Sequence, residues 1–237
     1  MKAQHVISCM HCQTHGCFFK QYGSSINHRL VESKKHQSDY LQGQYIIHEG
    51  HPILGIYFVQ QGNVKIFSSG LNGISQIVRL VNAGESLCFR GWDRATYLTS
   101  SVALDNSRIC FFESKDFMEV CKSPQLSMYI IKHLGDELEV AEKRLRYLMQ
   151  MNVREKIAEA LLFMKKSFGI NKEKELGVYM SREDIAAIAG TSQELVIRQL
   201  SEFEKDKIIE RRDRGSKIAL LNESKLNQLL SKYNIFS

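Results

Sequence analysis

The sequence has little proline and no long apolar segment. Only two of its 237 residues are proline. No run of about 18 apolar residues occurs, so we expect no transmembrane helix, and the first residues lack the apolar core of a signal peptide. We therefore expect a cytoplasmic protein, whose six cysteines lie in a reducing compartment. There, metal or redox chemistry is favoured over structural disulfides.

Patterns typical of enzymes are also missing. The sequence contains no P-loop, no obvious Ser/His/Asp set and no carboxylate pair that could act as general acid and base. A cupin enzyme would need a histidine cluster at strand spacing, and His48 and His51 are too few. We predict that the chain is not an enzyme.

Composition indicates an ordinary globular protein with room for one or two domains. Hydrophobic residues make up 43% of the chain and charged residues 24%, with a formal net charge of +6. This modest positive charge is compatible with a nucleic-acid partner but does not establish one.

Short apolar strands separated by glycine turns fill residues 40–120. Evenly spaced strands of this kind are typical of a small β-barrel or jelly roll. The predicted strands cover residues 45–47, 55–59, 63–67, 75–80, 99–104 and 108–112.

A long helix is predicted from Pro124 to about Met151. Its apolar positions recur at alternating steps of three and four, which is the heptad pattern of a helix that pairs with a second helix. Asn152 falls at the next position of this seam. A helix packed on its own domain is the alternative. The predicted dimer seam consists of Ile131, Leu134, Leu138, Ala141, Leu145 and Leu148.

A helix-turn-helix is predicted after Ser181, which is a good N-cap residue. Gly190 can end the first helix in the left-handed conformation, and Thr191 or Ser192 then caps the second. Taken alone, the pattern also fits a helical hairpin with solvated charges. Off the apolar stripe, the second helix carries Gln193, Glu194, Ile197 and Arg198, whose polar members can contact base edges in the major groove. Ser192 is also predicted to contact DNA.

A basic β-hairpin wing is predicted directly after this unit, from strands 208–212 and 217–220. Residues 205–217 contain six Lys/Arg and three acidic residues, a net charge of +3. Arg212 and Arg214 would contact DNA phosphates, which position a protein on DNA without specifying sequence. The wing therefore favours DNA binding over a simple hairpin.

Cysteines cluster near the beginning of the sequence. Cys9, Cys12 and Cys17 lie within nine residues of mostly polar chain, and thiolates close in sequence can share one soft metal centre. A zinc site could recruit His11 or His15 as well. A metal-free thiol switch that forms a disulfide on oxidation is a third interpretation.

The order of β-barrel, long helix and winged helix-turn-helix resembles the CRP/FNR family of bacterial transcription regulators over nearly the whole chain. Glu194 and Arg198 match the base-reading Glu-xxx-Arg spacing of that family. The resemblance implies a homodimer that binds an inverted-repeat operator in double-stranded DNA and contacts RNA polymerase, with no membrane partner. We expect domains at 1–22 (cysteine-rich arm), 23–123 (sensor), 124–151 (dimerisation helix) and 152–237 (DNA binding).

Two sensor classes of this family differ in their residues. Cyclic-nucleotide members hold the phosphate with an Arg beside a Ser or Thr, and residues 87–92 and 97–99 contain no such pair. We therefore do not expect cyclic-nucleotide binding. A CRP-like regulator that senses another small ligand without a cluster stays an alternative.

The iron–sulfur branch, which resembles FNR, offers the better match. The stretch from Ala103 to Cys110 is similar to the one around that branch's distant ligand. The resemblance implies a [4Fe–4S] cluster that senses oxygen or redox state and controls dimerisation. Its ligands would be Cys9, Cys12, Cys17 and Cys110, with Cys88 as the rival fourth ligand and Cys121 as a core residue.

Two departures from the iron–sulfur pattern accompany this match. The gap between Cys12 and Cys17 is one residue shorter than in the enterobacterial pattern. Val140 lies near the place where FNR-type helices carry an Asp, so control of dimerisation by oxygen is expected to be weaker.

Overall fold

The computed structural model describes residues 7–9, 11–21, 28–70, 74–88 and 94–233. The helices are α1 (Phe18–Gln21), α2 (His28–Lys34), α3 (Ser114–Val120), α4 (Pro124–Leu148), α5 (Val153–Phe168), α6 (Arg182–Ala189), α7 (Gln193–Lys205) and α8 (Glu223–Leu230). The strands are β1 (His36–Tyr40), β2 (Tyr45–Ile47), β3 (Gly55–Gln61), β4 (Val64–Ser69), β5 (Ser75–Val81), β6 (Ser100–Ala103), β7 (Ser107–Glu113), β8 (Ile209–Arg212) and β9 (Lys217–Leu220). Within these described ranges no helix is both long and apolar enough to cross a bilayer.

The first seven strands form two sheets, with the orders β1-β7-β3 and β2-β6-β4-β5. Apolar side chains from both sheets, among them Ile47, Val59, Ile66 and Ile109, meet in one core. The prediction of a small barrel or jelly roll is confirmed in its jelly-roll form, because the sheets stay separate instead of closing into a barrel.

The chain divides into two compact units. The first comprises residues 1–69 and 79–137, and the second comprises residues 70–78 and 138–237. Helix α4 therefore contributes residues to both units, whereas the sequence analysis treated it as a segment of its own.

The two faces of strand β7 pack in different apolar clusters. It is the central strand of its sheet, and Cys110 lies opposite Gln37 of β1 and Phe58 of β3. Because side chains alternate along a strand, Ile109 points into the core between the sheets while Cys110 and Phe112 point to the other side. That other side carries a second apolar cluster, to which α1, α3 and the first turns of α4 contribute.

Helix ends in the second unit follow ordinary capping chemistry. Ser181 caps α6, Gly190 ends it at φ 60°, and the Ser192 side chain accepts from Leu195 N to cap α7. Asn152 does not extend the seam of α4. It is the N-cap of α5, where its side chain and that of Glu155 form a reciprocal capping box.

A buried ion pair joins the end of α4 to α5. Arg144 donates to both carboxylate oxygens of Glu159 at 2.9 and 3.3 Å, and the Glu159 side chain is 1% exposed. The guanidinium also lies over the ring of Phe163, 4.0 Å from its centroid. Glu159 therefore depends on Arg144 for its charge compensation.

We predict that Arg144→Met lowers the free energy of unfolding by about 3–5 kcal/mol, because it leaves the Glu159 carboxylate buried without its partner. Urea unfolding followed by circular dichroism measures this. Lys143→Met is the matched control: its pair with Glu139 is exposed, so its loss should cost about 0.5 kcal/mol or less. Equal losses in the two variants would contradict the prediction.

Candidate metal centre and nucleic-acid interface

The four cysteines that the family resemblance implied as ligands line one pocket of the first unit. Cys9, Cys12 and Cys17 come from the arm before α1, and Cys110 comes from the outer face of β7. The space between these residues, counted together with the part that is open to solvent, is about 420 Å³. Its other walls are Ile7, Thr14, Phe19, Lys20, Lys35, Gln37, Phe58, Val59, Gln60 and Phe112.

Hydrogen bonds fasten the arm to the three-stranded sheet and to α2. The Thr14 hydroxyl donates to the backbone carbonyl of Gln60 at 2.7 Å. Ile7 exchanges bonds of 2.7 and 3.2 Å with the Gln37 side chain, and the backbone N–H of Cys9 donates to Glu32. Residues distant in sequence thus bring the arm thiols over Cys110.

Gly84 allows the backbone of the arm at residues 15–17 to lie close against it. Its φ is +101°, and a Cβ atom there would lie 2.5 Å from the His15 carbonyl oxygen and 3.3 Å from the Cys17 nitrogen. A side chain at position 84 would therefore be strained and would push against the backbone that positions Cys17.

Burial is the largest influence on the pKa values of the four thiols. It raises the pKa of Cys9 to about 12 and that of Cys110 to about 11, and it also raises the pKa of Cys17. Burial acts on Cys12 in the same direction, but its hydrogen bonds with Thr14 and Gln60 outweigh burial and lower the pKa. Three of the four thiols therefore resist ionisation until a cation compensates the charge of the thiolate.

The geometry of the four thiols bears on the kind of metal centre that they can hold. A single zinc ion needs its ligands to converge within about 2.3 Å of one point. Among the residues that the structure describes, no three His, Cys, Asp or Glu side chains converge in this way, and His11 and His15 are exposed away from the pocket wall. A [4Fe–4S] cluster would be held by four thiolates around one cavity, and four thiols line this pocket.

The other two cysteines lie apart from this pocket. Cys88 packs against the core between the sheets, and Cys121 is buried in the apolar cluster beneath α3, as its sequence context predicted. Neither thiol lines the pocket. Of the two stretches that the sequence analysis compared with cyclic-nucleotide sites, 87–92 and 97–99, residues 89–92 lie outside the described part of the chain.

The predicted base-reading side chains share the exposed face of α7. Gln193, Glu194 and Arg198 are exposed, and Ile197 is 45% exposed between them. Val196, Leu200 and Phe203 are buried on the opposite face. Within the described ranges neither Glu194 nor Arg198 takes part in an ion pair, so both remain available to a ligand.

The wing is more internally paired than the sequence indicated. Arg212 donates to Glu210 at 2.7 Å and to Glu175 at 3.3 Å, and the Glu210 bond raises the pKa of the guanidinium. Arg214 is exposed at the tip of the wing with φ 57°. Sequence reasoning also missed Arg182, which anchors the tip by donating to the Gly215 carbonyl at 2.5 Å.

The positions of the predicted seam of α4 differ in their exposure to solvent. Four of its positions are exposed and two are half-buried, and Leu134 packs in part against the apolar cluster of its own unit. The exposed positions are Ile131, Leu138, Ala141 and Leu145, and the half-buried ones are Leu134 and Leu148.

Comparison with known proteins gives concordant matches in both halves of the chain. A family model described as a Crp-like helix-turn-helix domain matches residues 155–229, and a cyclic nucleotide-binding domain model matches residues 37–123.

Similar proteins are named as regulators. The Fumarate and nitrate reduction regulatory protein of Vibrio cholerae is 24% identical over 231 residues, 93% of this chain and 90% of that protein. The cAMP-activated global transcriptional regulator CRP of Salmonella typhimurium is 22% identical over 180 residues, 73% and 85% of the two chains. The fold is similar to that of FixK2 from Bradyrhizobium japonicum, with a TM-score of 0.72, 21% identity, and coverage of 82% of this chain and 96% of that one.

These matches confirm that the chain is a regulator and not an enzyme. The two similar regulators have names that point to different signals, so their names alone do not select one. The order of domains, the exposed face of α7 and the matches agree: the chain belongs to the CRP/FNR family of transcription regulators.

Proposed function

We propose that this regulator senses oxygen or redox state through a [4Fe–4S] cluster, held by Cys9, Cys12, Cys17 and Cys110, that controls dimerisation and DNA binding. One observation carries the proposal: the arm thiols share a pocket with Cys110, which is distant in sequence, whereas Cys88 and Cys121 do not line it. A bound cluster would add its own redox chemistry to that of the thiols.

The walls of the pocket suit this role. Phe19, Phe58 and Phe112 form an apolar lining, which restricts water around the thiolates and limits solvent access to a bound centre. The partial opening to solvent leaves a route by which a small oxidant can enter.

Aromatic packing links the pocket to α4 within the first unit. Phe18 follows Cys17 directly, and its ring lies 5.2 Å from Tyr129 of α4. Tyr129 in turn stacks on His133, one turn further along the helix, at 5.8 Å. A shift of the arm at Cys17 would therefore alter the packing against α4, the helix that carries the seam.

The exposed apolar positions of α4 support dimerisation through this helix. Leu138 is 57% exposed and Leu145 is 65% exposed in the single chain. Apolar side chains repeating on one face of a helix are stabilised by a second copy of that face. A two-fold dimer would read an inverted repeat with half-sites about one helical turn apart. We also propose a cytoplasmic location and RNA polymerase as a partner.

We predict that protein purified without oxygen contains about four irons per chain, because four thiolates hold a [4Fe–4S] centre. Iron and sulfide assays with an absorption spectrum measure this. Cys110→Ser should lose the iron, because it removes one thiolate ligand from the pocket.

Cys121→Ser is the matched control for this experiment, since it changes a cysteine outside the pocket and should retain the iron. Colourless wild-type protein with one zinc, or with no metal and a disulfide, would contradict the proposal. Loss of iron in Cys88→Ser but not in Cys110→Ser would assign the fourth ligand to Cys88.

We predict that Leu138→Glu gives a monomer that no longer binds operator DNA. In the single chain the new carboxylate is exposed and harmless, but in the dimer it would be buried beside its symmetry mate, which costs several kcal/mol. Sedimentation velocity measures the change. Lys132→Glu, at an exposed position outside the seam, should remain dimeric, and an unchanged Leu138→Glu dimer would exclude this seam.

We predict that Arg198→Ala loses about 1–3 kcal/mol of discrimination at one base pair, because arginine bonds guanine O6 and N7. Binding selection on randomised DNA under anaerobic conditions compares the variant with wild type. Arg214→Ala is the control: it should weaken all sequences alike and reduce the salt slope by about one unit. Identical motifs from wild type and Arg198→Ala would move specificity to Gln193, Ile197 or the wing.

A further inference from the structure

A lysine is buried against the thiol pocket. The side chain of Lys35 is 2% exposed. Its ammonium group lies 2.7 Å from the Ile7 carbonyl oxygen, 3.3 Å from a Glu32 carboxylate oxygen and 3.4 Å from Cys9 Sγ. Each of the three ammonium protons thus has an acceptor, and one acceptor is a ligand sulfur.

The position of Lys35 is costly unless negative charge accompanies it. A buried ammonium group is destabilising without compensation. Among the residues that the structure describes, the carboxylate in contact with it is that of Glu32, which also accepts from the Cys9 backbone. Thiolates in the pocket would supply the further negative charge. The sulfur of Cys9 is the nearest of them to Lys35.

The remaining sulfurs also face N–H donors. Gln37 Nε2 lies 3.5 Å from Cys110 Sγ, and Gln60 Nε2 lies 3.5 Å from Cys12 Sγ. A bond of 2.8 Å from Gln37 Nε2 to Gln60 Oε1 fixes the relative orientation of the two amides. For Cys17, the backbone N–H groups of Phe19 and Lys20 take this role.

We propose that Lys35, supported by Gln37 and Gln60, is a positioning residue that stabilises the metal-bound thiolates. N–H donors orient the sulfurs, and a buried ammonium group compensates part of the negative charge of metal-bound thiolates. Side chains that orient and charge-balance metal ligands typically contribute about 10–100-fold to metal affinity. This inference rests on the proposed function, because it assumes that the four thiols hold iron.

The test is a substitution series at Lys35 in the full-length protein, loaded with iron and sulfide without oxygen. Lys35→Met removes both charge and donor, Lys35→Gln keeps a donor, and Lys35→Arg keeps both. We expect Lys35→Met to lose iron to a chelator about 10–100-fold faster than wild type. Lys35→Arg should remain close to wild type, and Lys35→Gln should lie between them.

The matched control is Lys34→Met, which removes the neighbouring positive charge. Lys34 pairs with Asp116 at 3.0 Å and lies outside the pocket lining, so this variant should release iron at the wild-type rate. The sulfur-to-iron absorption bands of the loaded protein give a second measurement, which should shift in Lys35→Met and be restored in Lys35→Arg. Gln37→Leu tests the network independently if Lys35→Met does not fold.

The inference is overturned if Lys35→Met retains iron as wild type does, if Lys34→Met loses it equally, or if Lys35→Arg is as defective as Lys35→Met. The iron content of the wild-type protein distinguishes failure of the proposed function from failure of the proposed role of Lys35. Wild type without iron contradicts the proposed function itself, whereas iron in wild type and unchanged release in Lys35→Met contradict only the role of Lys35.

Discussion

The alternation of side chains along β7 is the constraint on which the rest of the sensor unit depends. A central strand must satisfy two environments at once, and in β7 these are the core between the sheets at Ile109 and the outer surface at Cys110. Because neighbouring strands hold β7 on both sides, the thiol of Cys110 is fixed in direction. Hydrogen bonds from the described part of the arm to β1, β3 and α2 therefore determine how the other three thiols lie relative to Cys110.

The docking of the arm also connects chemistry to packing. Gly84 lets the backbone of the arm pass closely at Cys17, and the next residue, Phe18, is buried among the aromatic rings that pack beside α4. Because these rings pack closely, a displacement at Cys17 would be transmitted to the adjacent part of α4 through their contacts.

Strong periodic patterns made the main architecture predictable from the sequence. The apolar strands, the amphipathic helices and the Ser181 and Gly190 signals describe local structure that tertiary contacts reinforce. Strand β1 was missed because its sequence, His-Gln-Ser-Asp-Tyr, is polar and joins the sheet at an edge. Asn152 was placed in the seam because heptad spacing continued through it, although its capping bond to Glu155 ends that pattern. The resemblance suggested Cys110, but the contacts of Lys35, Gln37 and Gln60 depend on register between distant segments.

The arginines of α7 and of the wing differ in whether they form ion pairs. Both regions carry arginine, yet Arg198 has no ion-pair partner in the described structure, whereas Arg211 and Arg212 are held by Glu204, Glu210 and Glu175. An arginine already paired must exchange one carboxylate for a phosphate, so its net contribution to DNA affinity is reduced. Counting positive charges along residues 205–217 therefore overstates the available charge, and the exposed Arg214 is the wing arginine best placed to meet a phosphate.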